Sequence, residues 1–411
     1  LLPEFKFRFS SGTAGVRPAF SQQYETWSVA GGNISKGALG NKDLKPQTTT
    51  ETEFGVDFSL LDRVSVELTS SQTDNADQLL PVPLAGFYGY SSQWQNAGTL
   101  EAEAIELSVN GYVLNTRDMS LSLGFNYDTY DQKLTKFDMP AYLTSSGSGQ
   151  TVFYMKNNTQ YASFWGTKWA TGVNHLPKAD QASISQFATN SDGYLVWVGD
   201  GNKVTEGISK TLWGRTSTGL SQTYNWGRPI QFVDAEGVSL HQIGTSVPDF
   251  GYSFNANFRF QGLSVYAMFD GQSGGNIYNH TRQWGAREAA TGDVDQYGKS
   301  EAEMKPTIYY RDLYHVNAAN DYYVEDASYM KLRELSVKYN VSSLVDLRSV
   351  GISGLQVGIV GRNLITWTDY QGYDPEVGYG GGTLGSAVNA RVDSYGYPNY
   401  RTFSFTLDVD F

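Results

Sequence analysis

The 411-residue sequence contains no cysteine, which excludes disulfide frameworks, thiolate zinc sites and cysteine nucleophiles together. Nor does it hold a run of about eighteen apolar residues, so no transmembrane helix can be drawn. Basic residues are in deficit: Lys+Arg 30 against Asp+Glu 42 leaves a net charge of -12, which argues against a nucleic-acid partner, because neutralising phosphates needs clustered Lys and Arg. Leu1 to Ser10 carry no initiator Met, basic stretch or cleavage site of a signal peptide, and the amino end reads as a start partway into something larger. The four histidines, His175, His241, His280 and His315, stand without metal-ligand spacing. No metal or cofactor is expected. Proline is scarce too, 12 residues beside 44 glycines, while Phe 21, Tyr 28 and Trp 9 are plentiful, a mixture suited to many pleated strands joined by turns.

Strict alternation then appears. Phe403, Phe405, Leu407, Val409 and Phe411 interleave with Thr402, Ser404, Thr406, Asp408 and Asp410, a period-2 strand ending on a terminal Phe. Phe250, Tyr252, Phe254, Ala256, Phe258 and Phe260 do the same, Gln261-Gly262 turns the chain, and Leu263, Val265, Ala267 and Phe269 resume the apolar face as a hairpin. Seven more strands follow the rule: Phe5/Phe7/Phe9, Phe54/Val56/Phe58/Leu60, Val64/Val66/Leu68, Ile105/Leu107/Val109, Met119/Leu121/Leu123/Phe125, Leu335/Val337/Tyr339/Val341 and Leu355/Val357/Ile359. Ten strands result, each half apolar and half hydrophilic.

Connections alternate in length. Short ones fall near 61 to 63, 115 to 118, 261 to 262 and 342 to 354; long ones near 15 to 47, 77 to 98, 135 to 248, 272 to 326 and 368 to 399. Short turns on one rim and long loops on the other are the layout of an outer-membrane barrel, and four to six apolar residues per strand cover its band of about 25 Å. A soluble sandwich or propeller could show the same stripe turned toward a core, since periodicity alone does not separate the two. Residues 135 to 248 are too long for a structureless connection and are expected to contain a small folded insert.

Several strings resemble the carboxyl-terminal part of the SusC/RagA family of TonB-dependent outer-membrane transporters. They are Leu39-Gly40-Asn41-Lys42-Asp43-Leu44-Lys45-Pro46 followed by Thr48 to Gly55; Leu80-Pro81-Val82-Pro83 with Gln93-Trp94-Gln95-Asn96-Ala97-Gly98; Asp326 to Glu334; Gly361-Arg362-Asn363-Leu364 with Trp367 to Tyr370; Gly372-Tyr373-Asp374-Pro375-Glu376; and Tyr397 to Thr402. The resemblance spans nearly the whole chain. It implies an all-β, antiparallel transmembrane barrel in the bacterial outer membrane: residues 1–411 would be about ten carboxyl-terminal strands of a twenty-two-stranded barrel, residues 135–248 a large extracellular loop or insert, and the plug and amino-terminal strands would lie upstream of Leu1. It further implies import of an oligosaccharide or peptide with a SusD-like lipoprotein as lid, powered by TonB-ExbB-ExbD through that plug. A structural or adhesive barrel that transports nothing, and a soluble secreted β-rich glycan-binding protein or hydrolase, remain competing readings.

Eight of the nine tryptophans, Trp27, Trp94, Trp165, Trp169, Trp197, Trp213, Trp226 and Trp284, fall in the long loops. Tyr88, Tyr90 and Trp94 form the densest short cluster, placing them as candidate contacts for cargo or partner, although such rings also build loop cores and interfacial girdles. Asp293 and Asp295 make an Asp-x-Asp pair without the rest of a calcium loop. Glu301 with Glu303, and Asp374 with Glu376, are pairs in sequence only, which does not establish the spatial separation that carboxylate catalysis needs. Gly380-Gly381-Gly382 lacks the Lys-Ser or Lys-Thr of a phosphate loop. No enzyme follows.

Overall fold

A computed structural model describes residues 4–145, 151–200, 214–300, 303–314, 319–345, 347–377 and 391–411. Among them, ten long strands form one antiparallel sheet in chain order. They are β1 (Glu4–Val16), β2 (Gln47–Leu60), β3 (Val64–Ala76), β4 (Thr99–Asn115), β5 (Met119–Lys136), β6 (Phe250–Phe260), β7 (Leu263–Ser273), β8 (Tyr329–Asn340), β9 (Gly354–Thr368) and β10 (Thr402–Asp410). All ten strands legible in the alternation are present. No described helix is long and apolar enough to cross a membrane.

Register explains the alternation. Phe7 pairs with Val56 and Val56 with Leu68; Leu68 pairs with Leu107; Phe125 lies between Val109 and Phe254; and Phe254 pairs with Phe269. The row runs on through Val265, Val337, Ile359 and Phe405. Apolar residues therefore meet apolar residues from one edge strand to the other, on one face. They are bare: Phe7 is 64% exposed, Leu407 67% and Phe405 84%. None of these rows enters the buried apolar clusters, which lie in the long connections and the strand ends that carry them. A sandwich or propeller would have covered the rows with a second layer. A bilayer covers them instead, and the soluble reading falls.

The other face is hydrophilic and internally paired. Arg8 donates to both carboxylate oxygens of Asp57 at 2.8 Å, to Glu53 at 3.0 Å and to Thr69 at 3.0 Å. Gly55 makes room for the guanidinium, since a Cβ there would sit 2.7 Å from Arg8 Cζ. Arg362 donates to Glu334, and Asn126 to Ser253.

Short connections cluster at one rim. Leu61 and Asp62 turn β2 into β3 with φ of 53° and 56°, and Gln261 with φ 50° turns β6 into β7. At the opposite rim the connections are folded. Segments 17–46 and 77–98 share a small sheet of Ala38–Leu39, Ser92–Asn96 and Leu79–Pro83. The segment 137–249 carries a four-stranded sheet, Tyr142–Ser145, Thr151–Met155, Ser163–Thr167 and Leu240–Thr245, and a buried cluster around Leu195, Trp197 and Trp226. Segment 274–328 holds α1 (His280–Arg287) and α2 (Thr307–Leu313). Its strand Asn276–Asn279 lies between Val324–Asp326 and Val392–Asp393, tying it to the connection that precedes β10.

Along β4 and β5 the polarity reverses near this rim. Glu101 and Glu103, opposite Lys133 and Asp131, continue the face of Ile105 and Leu107 and are exposed. Leu100, Ala102 and Leu134 turn the other way and are buried, with Leu100 and Leu134 packed beside Leu80, Val82 and Phe137. Charge facing outward and apolar groups facing inward mark the height at which the wall leaves the hydrocarbon and obeys the rule for a protein in water.

Candidate functional site: stapled loop roots at the wide rim

Four of the resemblance strings meet at one point on the inner wall. β8 is irregular between Leu332 and Glu334, so Lys331 and Arg333 both reach the connection 369–401. Lys331, 1% exposed, donates to Asp374 and Glu376 at 2.6 Å each. Arg333 binds Glu376 through two nitrogens and Asp270 of β7 through two, and contacts Asn363 at 3.4 Å. Asn399 donates its side chain to Glu376 at 2.8 Å and its backbone N–H to Asp374 at 3.1 Å. The Tyr329 hydroxyl donates to Glu376 at 3.0 Å. Burial alone would raise the Glu376 carboxyl, but hydrogen bonds and charge from Arg333 and Lys331 outweigh it and hold it down at about 2. Asp374 and Glu376 are thus the acidic half of an ionic clasp. Asp270 had no marker in the sequence beyond its place on the polar face of β7.

A second staple joins the first two long connections. Asn41 donates to the Trp94 carbonyl at 2.8 Å, and Gln93 to the Gly40 carbonyl at 3.0 Å. Asn96 accepts from the Lys45 N–H at 2.8 Å and donates to the carbonyls of Lys45 and Asp77 at 2.9 Å. Gly98 follows with φ 105°, where an added Cβ would stand 2.4 Å from the Lys136 carbonyl oxygen.

Tyr88, Tyr90 and Trp94 fall near one another in sequence, but no ring contact links the three among the described residues. Tyr88 lies against Phe87 with centroids 4.3 Å apart, the Tyr90 ring sits under Lys36 Nζ at 4.5 Å, and Trp94 is part of the small sheet. Trp27 is exposed, whereas Trp169, Trp197 and Trp226 are loop core. Trp165 contacts Tyr154, and Trp367, at the end of β9, stacks with Phe269. Trp213, His315, Glu301 and Gly380-Gly381-Gly382 lie outside the described residues.

The remaining candidates have local partners. Asp293 is held by two nitrogens of Arg282 at 2.7 and 2.8 Å, and Asp295 accepts from the Tyr297 N–H. Glu303 accepts from the Ser300 hydroxyl and N–H. His175 accepts from the Thr171 N–H, His241 lies against Phe232, and His280 bonds Ser394 at 3.0 Å. No metal-sized group of His, Asp and Glu occurs among the described residues.

Comparison with known proteins agrees with this architecture. Residues 1–205 match the family described as TonB dependent receptor-like, beta-barrel. TonB-dependent receptor P3 of Formosa agariphila is 28% identical over 99% of this chain and 39% of its own length. TonB-dependent receptor SusC of Bacteroides thetaiotaomicron is 22% identical over 90% of this chain and 32% of its own. The structure of the RagAB peptide transporter superposes with a TM-score of 0.64 at 20% identity, covering 99% of this chain and 41% of that one. The chain spans about two fifths or less of the curated relatives it matches. With its lipid-facing belt, hydrophilic inner wall and stapled rim, the chain carries a TonB-dependent receptor β-barrel domain of the outer membrane and has the RagA barrel fold.

Proposed function

We propose that this chain is wall and rim of an energy-coupled nutrient importer that admits an oligosaccharide or peptide. A SusD-like surface lipoprotein would close over the long-loop rim, and TonB-ExbB-ExbD would act through a plug borne elsewhere in the longer protein. The observation that carries the reading is the division of the sheet into a lipid-facing apolar belt and a hydrophilic inner wall with ion pairs between neighbouring strands, crowned by connections with cores of their own. An adhesive barrel needs presented loops but has no need of a hydrophilic passage. The test is uptake by cells expressing the full-length receptor. Labelled cargo should accumulate in the periplasm, and accumulation should stop when the proton gradient is discharged. Surface binding with no gradient-dependent uptake of any cargo rejects the importer and favours the adhesive barrel. Copurification of a surface lipoprotein in detergent is the expected sign of the lid, and its absence from native membrane extracts rejects that partner.

A further inference from the structure

A cleft of about 650 Å³ opens at the rim between α1 and the connection 369–401, well inside the size range of small-molecule sites. Three aromatic residues line it: Trp284, Tyr373 and Tyr395. Trp284 is braced by the Arg287 guanidinium, 4.9 Å from its ring centre, and by the edge of Tyr314. Tyr373 is 79% exposed and Tyr395 59%, and neither ring stacks on another among the described residues. Tyr395 also holds φ at +58°, a left-handed conformation that is strained for a tyrosine. Its N–H donates to Thr281 Oγ1 at 2.7 Å, and that hydroxyl donates to Asp393 at 3.0 Å. The strained backbone is fixed from below while the ring it carries stays in the open.

The charged groups around the cleft are already engaged. Arg282 is neutralised by Asp293 and Glu325, Glu288 pairs with Arg287 at 3.3 Å, and Asp393 accepts from Tyr370 at 2.6 Å as well as from Thr281. Two cations face four carboxylates, a surplus that repels an anionic ligand, and each carboxylate already accepts from a partner on its own wall, so none stands bare to hold a cation. The strand below, Asn276–Asn279, pairs with Val324–Asp326 on one edge and, at Tyr278 and Asn279, with Val392–Asp393 on the other, and the Asp393 carbonyl accepts from Thr281, so little backbone is left there for an extended peptide to pair with. Open rings beside polar groups that are already hydrogen-bonded suit a ligand with apolar C–H faces and hydroxyl edges.

We infer that the cleft bounded by Trp284, Tyr373 and Tyr395 is a binding subsite for a neutral saccharide, carried by the receptor's own rim. The inference rests on the importer reading only in that a rim subsite would load the passage beneath it. The full-length receptor in detergent is titrated calorimetrically with neutral hexasaccharides of α- and β-linked hexoses and pentoses, and with an uncharged hexapeptide. At least one saccharide should bind, and Tyr373→Ala and Tyr395→Gly should each weaken it roughly tenfold, about one stacking ring. Neither variant threatens folding: Tyr373 is almost wholly exposed, and glycine relieves the strain at 395. Three results overturn the inference: no saccharide binds, both variants bind as tightly as the parent, or the hexapeptide is the ligand whose binding they abolish. Gradient-dependent uptake in parallel separates the two readings. Uptake without saccharide binding at the cleft removes the subsite and leaves the importer. Saccharide binding lost in both variants, with no uptake of any cargo, removes the importer and leaves the subsite.

Discussion

Replacing Lys331 by Met should open the root of the connection 369–401 while leaving the barrel intact. The clasp sets two cations, Lys331 and Arg333, against three carboxylates, Asp270, Asp374 and Glu376. Methionine fills most of the lysine's volume but leaves one cation facing three carboxylates where Lys331 was 1% exposed. Removing one partner of a buried pair costs about 3–5 kcal/mol. The amides of Glu376 and Asn399, which donate to Asp374, should therefore exchange roughly a hundred to a few thousand times faster, read by hydrogen-exchange mass spectrometry on the full-length receptor in detergent. Glu376→Gln should do less, because it leaves two cations facing two carboxylates. Its effect also has a pH signature. The Glu376 carboxyl is lowered from its ordinary 4.5 to about 2, so its contribution of about 3 kcal/mol is full above pH 4.5 and is lost as pH falls toward 2. The glutamine variant should lack that acid-dependent loosening. Unchanged exchange at 376 and 399 in Lys331→Met, or acceleration spread evenly into β1–β3, would refute the clasp as a local anchor.

Three further outcomes follow from the same geometry. Phe405→Arg should destabilise insertion into lipid vesicles by about 2–4 kcal/mol, measured by urea titration of folding, whereas Asp408→Asn on the opposite face should stay within about 0.5 kcal/mol. Gly98→Ala, which needs a left-handed alanine and meets the Lys136 carbonyl at 2.4 Å, should cost more than about 1 kcal/mol and expose the segment 77–98 to protease. Asp321 is pushed up from 3.8 to about 6 by burial, only partly offset by the Trp169 N–H and Tyr194 hydroxyl. A raised carboxyl favours the folded state most below pH 3.8 and loses that advantage as pH rises through 6. Asp321→Asn should therefore raise the thermal midpoint of the loop region at pH 8 and leave it nearly unchanged at pH 4.

The strands were legible because each one solves the same problem. A residue such as Val337 has lipid on one side and Val265 and Ile359 beside it, so every second position must be apolar whatever the rest of the fold does, and period two survives in the string. Clasp and staples were not legible as structure. Asp270 and Arg333 are 63 positions apart, and Asn41 lies 53 from Trp94; neither distance leaves a local periodicity. Their strings carried a resemblance while hiding the geometry behind it. The aromatic cluster shows the converse, closeness in the string without contact between the rings. Tyr88, Tyr90 and Trp94 are adjacent in the string, yet a positive φ at Gly89 and the pairing of Trp94 into a small sheet send them to different neighbours. The rings at the open cleft come from positions 284, 373 and 395, likewise far apart in the string.

The reversal of polarity along β4 and β5 explains why the staples stand where they do. Inside the hydrocarbon a strand is held by ladder bonds that lipid cannot compete for, and it needs no core. Above Ile105 the same strand meets water, its outer face turns to Glu101 and Glu103, and only its inner face can bury anything. Connections leaving at that height have lost the bilayer's help and must build stability from buried contacts. The tyrosine-rich cluster around Tyr278, Tyr309 and Tyr323 does this for the larger segments. At the described arms of 369–401, where Tyr370, Val377 and Val392 reach buried clusters, paired charge on Lys331 and Arg333 adds to that burial. Paired charge is directional, whereas apolar burial is not. It therefore fixes the orientation of the arm as well as its position, and that fixed orientation is what keeps Tyr373, one residue before Asp374, at the mouth of the cleft.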